Sequence, residues 1–268
     1  MKNFSLFGWL LLLTILCTAI TCADHRDQPA LRYRLKTVAH TYPLPDPYTP
    51  YTREFTLIYN AKGQLESYIR PGNRQYSPVY ENGRISSVTI KVDDFVFHTT
   101  RYKYDAQGRV SSITLYVDKI KTKSEDKVVS IYNYEGNNTL PSSQTVTRFE
   151  NMISIGSRTE TYAFAGGNAT TINGTSYSYD NTPNPYRGLL GFSIYYSLSN
   201  DYESPSDGTA NALNRPFNIG EAFADQSVKV FNQNNRTTGA QLTYNSNGLV
   251  SKIAYDNGNI EEFTYETY

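Results

Sequence analysis

The chain has 268 residues, with 25 basic against 25 acidic side chains and no net charge, so it carries no electrostatic footprint for nucleic acid or an anionic lipid surface. Tyrosine stands out at 24 residues, against a single tryptophan, Trp9. A tyrosine ring packs on a pleated surface while its hydroxyl reaches water or a partner, so this composition points to β-sheet.

Met1-Lys2-Asn3 is followed by an apolar run from Phe4 through Ile20, broken only by Ser5, Gly8, Thr14 and Thr18. A charged start and a greasy core are the layout of a secretion signal, here residues 1–21. The strongest apolar stretch, Trp9 to Leu16, is shorter than the roughly 20 residues of a membrane-spanning helix. The two cysteines are Cys17 inside this run and Cys22 just after it. Cleavage before Cys22 leaves one cysteine, at the new N-terminus, and no intramolecular disulfide. Ala19-Ile20-Thr21-Cys22 resembles the lipobox of bacterial lipoproteins, although that family prefers Leu at the place of Ala19 and a smaller residue at Thr21. The resemblance implies acyl chains on Cys22 and, with Ala23 rather than Asp following it, an outer-membrane lipoprotein on either face. The alternative is ordinary cleavage after Ala23, giving a soluble secreted protein.

Residues 22–52 read as a Pro-rich tether, with Pro29, Pro43, Pro45, Pro47 and Pro50; its second half has the option of lying along a sheet. Without the signal about 245 residues remain, enough for one large β domain or two small ones, and a β-hairpin repeat domain spans 53–268. Within it four segments align on a glycine: Tyr59 to Gly63, Tyr80 to Gly83, Tyr104 to Gly108 and Tyr244 to Gly248. In each, a strand ends in Tyr, a polar turn closes on Gly, and an alternating strand leaves. Glycine supplies the left-handed conformation of such hairpin loops, and an Asn or Asp after the Tyr bonds forward to the turn backbone. Tyr80-Glu-Asn-Gly83 and Tyr255-Asp-Asn-Gly258 read as tighter, two-residue type I′ turns. Period-two alternation places Ser86, Val88, Ile90 and Val92 on one buried face, as it does Ser111, Ile113, Leu115 and Val117. Further strands are expected near 127–134, 142–149, 157–165 and 226–232, for an all-β, antiparallel, twisted meander, open or stacked, with little helix.

The stretch 181–225 breaks the rhythm as an irregular insertion, in which Leu189, Leu190, Phe192 and Ile194 read as a cap on the sheet. The Tyr-Asp/Asn-x-x-Gly-Arg/Leu-Val/Ile motifs resemble the YD repeats of RHS proteins. Together with the lipobox and Tyr179-Asp180-x-x-Pro-x-Pro-Tyr186, they resemble a family of uncharacterised Bacteroidetes lipoproteins. This resemblance, over residues 55–268, implies a twisted β-meander in the cell envelope and no particular chemistry. The repeats are too few for the closed shells that RHS proteins build.

No catalytic, cofactor or metal motif emerges. His25 and His40 fall in the tether, and His98 follows Phe95-Val-Phe97 in a strand without another ligand at metal spacing. The adjacent acids Asp93-Asp94 and Glu261-Glu262 point to opposite faces of a strand, and the first pair reads better as a turn. Asp256 to Asn259 and Asp201 to Asp207 offer oxygen ligands but no EF-hand spacing. Asn137, Asn168, Asn173 and Asn235 begin sequons, which in a lipoprotein are by-products of Asn- and Thr-rich turns. Tyr186, Tyr195, Tyr196 and Tyr202 are either sugar-stacking rings or core. Two functions follow: a non-enzymatic envelope protein binding a glycan, a peptide or an envelope protein, with no cofactor and no nucleic acid, or an exported hydrolase using carboxylates from separate strands.

Overall fold

The computed structural model describes residues 32–43, 50–70, 74–92, 95–117, 126–190 and 228–268. The signal, Cys22, His25, Asp93-Asp94 and the 191–227 part of the insertion, including Phe192, Ile194, Tyr195, Tyr196, Tyr202 and Asp201 to Asp207, lie outside them. The chain divides into two units. In the smaller, residues 1–34 with 266–268, Arg34 Nε donates to Glu266 at 2.7 Å and the Tyr268 amide to the Arg32 carbonyl at 3.1 Å. The larger, Leu35–Tyr265, holds the core.

The described elements are strands: β1 Tyr33–Tyr42, β2 Tyr51–Tyr59, β3 Leu65–Arg70, β4 Arg74–Glu81, β5 Arg84–Val92, β6 Phe95–Tyr104, β7 Val110–Val117 and β8 Asp126–Asn133. They continue as β9 Ser143–Glu150, β10 Ile153–Ala165, β11 Asn168–Ile172, β12 Thr175–Ser176, β13 Tyr179–Pro183, β14 Asn234–Arg236, β15 Ala240–Tyr244, β16 Val250–Tyr255 and β17 Ile260–Thr267. Fifteen form one sheet in the order β12 back through β1, then β17, β16 and β15, while β13 and β14 pair separately. The sheet is an open antiparallel meander, as the hairpin repeat requires. The option that part of the tether lies along the sheet is realised in ten residues, which form β1, registered against β2 from Thr37↔Thr56 to Tyr42↔Tyr51. Another expectation about element placement needs correction. The strand expected at 226–232 is a helical turn at Val228 and Lys229, followed by the short β14.

The motif turns share one geometry. Gly63, Gly108 and Gly248 have φ of 76°, 80° and 74°, and their amides donate to the carbonyls of Asn60, Asp105 and Asn245. Side-chain Oδ1 of those three residues accepts the amides of Gln64, Arg109 and Leu249 at 2.8–3.0 Å, closing the loop across the glycine. Asn82 and Gly83 both have positive φ, the type I′ pair expected there. At Tyr255 to Gly258 only the glycine does, and its amide returns to the Tyr255 carbonyl, so this turn copies the longer loop instead.

Simple alternation fails just after each glycine. The register pairs Tyr80 with Ile85 but Val79 with Ser87, leaving Ser86 as an extra residue. The same bulge leaves out Glu66, Ser111 and Ser251. It brings Ile85 onto the face of Val88 and Ile90, all three buried; Val110, Ile113 and Leu115 repeat the arrangement. The bulge hydroxyls of Ser86 and Ser251 donate to the carbonyls of Val79 and Thr243 at 3.2 Å.

The apolar face is curled. Tyr132 of β8 meets Phe231 with ring centroids 5.7 Å apart, and Phe263 of β17 meets Tyr186 at 5.5 Å. Those strands are eight places apart in the sheet, roughly 38 Å if it were flat. Yet Tyr186 and Phe231 lie on either side of one hydrogen bond, Gly188 amide to Val230 carbonyl. The sheet therefore wraps the segments 184–190 and 228–233, and Leu189 and Leu190 pack on the same core, as a cap would.

Candidate functional site

The turn end of the sheet is organised by tyrosine. Where the ladder between β3 and β4 stops at Tyr68↔Tyr76, the Leu65 carbonyl lies beyond it, and Tyr80 donates its hydroxyl there at 3.1 Å. Tyr104 does the same to Ile85, and Tyr134 to Val110, each at 2.8 Å. Tyr59 reaches Leu35 at 2.8 Å, Tyr179 reaches Ala169 at 2.7 Å and Tyr265 reaches Val250 at 2.6 Å. Each of the six is followed in sequence by Asn, Asp or Glu. Tyr244 stands in the edge strand β15 and donates instead to Asp180 of β13 at 2.9 Å.

Four of these rings, Tyr59, Tyr80, Tyr104 and Tyr134, line a cleft of about 600 Å³ across four successive hairpins. Successive rings are two strands apart, roughly 10 Å. Between them stand Leu65, Ile85 and Val110, and Leu189, Leu190 and Phe231 of the wrapped segments form the other side. Burial and the neighbouring Asp105 carboxylate push the Tyr134 hydroxyl up to about 12, so it stays a neutral donor.

Among the described residues two arginines line the cleft and no acid does. Arg109 is used by the fold: Nε donates to Asp105 at 2.6 Å, Nη1 donates to the Gly136 and Asn138 carbonyls at 2.8 Å, and the guanidinium covers the Tyr134 ring at 4.3 Å. Arg84 covers Tyr104 at 5.4 Å and lies where a Cβ on Gly108 would sit. Among the described residues Arg84 makes no ion pair and no side-chain hydrogen bond.

A second polar group is buried under the cap. Lys229 Nζ donates to Glu261 at 2.6 and 2.9 Å and to the Tyr255 hydroxyl at 3.0 Å, and Tyr255 donates to Glu261 at 2.9 Å. Lys229 also sits 4.3 Å over the Tyr186 ring. Glu261 is fully buried while Glu262 is exposed, the opposite facing expected of neighbours in a strand. His40 is buried in β1 and stacks on Tyr42 at 4.0 Å; burial, then the charges of Lys229 and Arg53, hold its pKa well below the ordinary range. Both carboxylate oxygens of Glu261 are taken, so the role of the group is to hold the cap to β16 and β17.

A third group ties β13 and β14 to the large sheet. Asp180 accepts from the Asn235 amide at 2.9 Å, from Asn235 Nδ2 at 3.1 Å, and from the Thr182 hydroxyl and Tyr244. Burial opposes its charge, but these bonds outweigh burial and bring its pKa below the usual carboxylate value. Asn168 exchanges bonds with Asn234 at 2.8 and 3.0 Å. The pair β13 and β14 is thus bonded through side chains to β11, next to the two-residue edge strand β12, and to the edge strand β15.

Tyr186 is core, and the sequon residues Asn168 and Asn235 are buried in the bonds just described. Asn173 accepts the Thr161 amide, and Asn137 is exposed in a loop. In the Asp256 to Asn259 turn, Asn257 Oδ1 accepts the Asn259 amide. His98 lies in β6. Among the described residues no three His, Cys, Asp or Glu side chains come together as a metal group. Arg84 and the Lys229–Glu261 pair were not singled out from sequence. The repeat places Arg84 one residue past a turn glycine, whereas Lys229 and Glu261 meet across 32 positions with no local signal.

No protein-family model matches the chain, and no curated protein does. Among solved structures, a porin-like protein from Bacteroides uniformis aligns over 87% of this chain and 98% of its own, at 11% identity and a TM-score of 0.33. A TcdB2-TccC3-Cdc42 structure aligns over 85% of this chain at 16% identity and a TM-score of 0.29, and a TcdB2-TccC3-TEV structure over 74% at 18% and 0.27. The chain spans 11% and 10% of the length of those two.

Proposed function

We propose that this chain is a non-enzymatic binding module of the cell envelope, lipidated at Cys22, which takes its ligand in the turn-end cleft. The cleft carries the reading: an aromatic and aliphatic hollow of about 600 Å³, within the range of small-ligand sites, whose four tyrosine hydroxyls are committed to backbone carbonyls. Such walls bind and orient; they offer no nucleophile and no convergent acid pair. A glycan, a peptide or another envelope protein is the partner class, with the membrane reached through the N-terminal lipid and no role for nucleic acid. The N-terminal sequence supports the anchor, since Cys22 is the last cysteine in the chain.

Mass spectrometry of membrane fractions from cells expressing wild type and Cys22→Ser tests the anchor. Acyl mass and membrane retention are expected for wild type alone; an unmodified soluble wild type overturns lipidation. Glycan and peptide arrays probed with the purified chain test binding, and turnover of any bound array member would overturn the non-enzymatic reading.

A further inference from the structure

The charge of the cleft is unbalanced in one place. Arg109 is matched by Asp105, with its Nε and Nη1 donors engaged by the fold. Arg84 is exposed and lacks an ion pair among the described residues, and its guanidinium lies 5.4 Å from the Tyr104 ring centroid and beside the Cα of Gly108. A guanidinium offers paired N–H donors, the geometry that matches a carboxylate or a phosphate. Around it the walls are Leu65, Ile85, Val110, Leu189 and Leu190, with no acidic side chain among the described lining residues. The nearby carboxylate of Asp105 is paired with Arg109, which leaves Arg84 to an anion, and an apolar body joined to that anion would leave water for aliphatic and aromatic surface.

Resting on the binding-module reading, we infer that the cleft takes an amphiphile with one anionic head, its carboxylate or phosphate on Arg84 and its apolar body along Ile85, Val110 and Leu190. One unmatched guanidinium selects a single charge, and the volume has room for an acyl chain or a ring system. Gly108 then serves twice, since beyond forming its left-handed turn it leaves the space in which Arg84 lies.

Calorimetric titration of the purified chain with octanoate, octyl phosphate, octanol and octylamine tests this below their aggregation concentrations. Both anions are expected to bind roughly ten- to a hundredfold more tightly than octanol, and octylamine more weakly still. Arg84→Gln should bring the anions down to octanol, and because Arg84 is exposed the variant should keep the wild-type melting profile. Either order of the two anions supports the inference and assigns the head. Octanol binding as tightly as octanoate, or an unchanged preference in Arg84→Gln, overturns the anionic head while leaving the cleft as a binding site. Silence of all four probes, with array binding intact, overturns the amphiphile but not the module.

Discussion

A motif tyrosine acts through one atom. The Tyr104 hydroxyl satisfies the Ile85 carbonyl, which the β5–β6 ladder, ending at Ser87↔Arg101, does not reach. Tyr104→Phe keeps the ring and its packing but removes that donor, and should cost about 0.5–1.5 kcal/mol in urea unfolding. Tyr116→Phe, where no such bond is made, should cost less. At the turns, Gly83→Ala and Gly108→Ala each force a side chain into left-handed backbone, about 1–2 kcal/mol. Gly83 has open space around it, whereas Gly108 faces Arg84, so the second substitution should be at least as costly. A larger loss at Gly83 would contradict the crowding. His40 adds a pH dependence. Folded, it stays neutral well below 6.5, near which an unfolded histidine gains its proton. As pH falls through that value the unfolded chain binds a proton that the folded chain refuses, so stability drops by up to about 1.4 kcal/mol per pH unit. His40→Leu should flatten the slope of the unfolding midpoint just below 6.5; an unchanged slope would show that another group titrates.

At the scale of elements, the hairpins are legible in the sequence because their signal is local. Gly63, Gly108 and Gly248, with Asn60, Asp105 and Asn245 ahead of them, carry the whole turn within five residues. The bulge is not legible, since Ser86 alternates as well with Val88 as any strand residue does, and only the cross-strand register exposes it as the extra one. His40 reads as part of a tether because the prolines around it obscure β1, whose own ten residues contain none. The cleft is legible in its tyrosines and in Leu189 and Leu190, which read as a cap, and not in Phe231, which the curl of the sheet brings to the same wall. That wall depends on the Lys229–Glu261 pair. Glu261→Ala leaves a buried ammonium without its carboxylate and should cost about 3–5 kcal/mol. The double variant Lys229→Met with Glu261→Leu should recover most of it, as read by thermal melts; a double variant as unstable as the single one would mean that the polar contacts to Tyr255, and not the uncompensated charge, dominate.

At the scale of the molecule, the first and last strands of the sheet are neighbours. Thr37 of β1 and Thr264 of β17 share a hydrogen bond of 2.7 Å across 227 positions, while every other strand of the meander from β2 to β12 pairs with one close in sequence. Amide hydrogen exchange should therefore find β16 and β17 protected cooperatively with β1 and not with β12. A chain ending at Asn259 should lose protection in β1 and in the cap together, since Glu261 is removed as well.

That pairing also sets an order in time. Synthesis delivers β1 early, and hairpins such as β4–β5 can close within moments of emerging. The opposite edge of β1 stays bare until nearly the whole chain has followed. A nascent molecule of this kind passes through a long interval as a sticky half-ribbon, and the cell must shepherd it until the last strand arrives to mask the first.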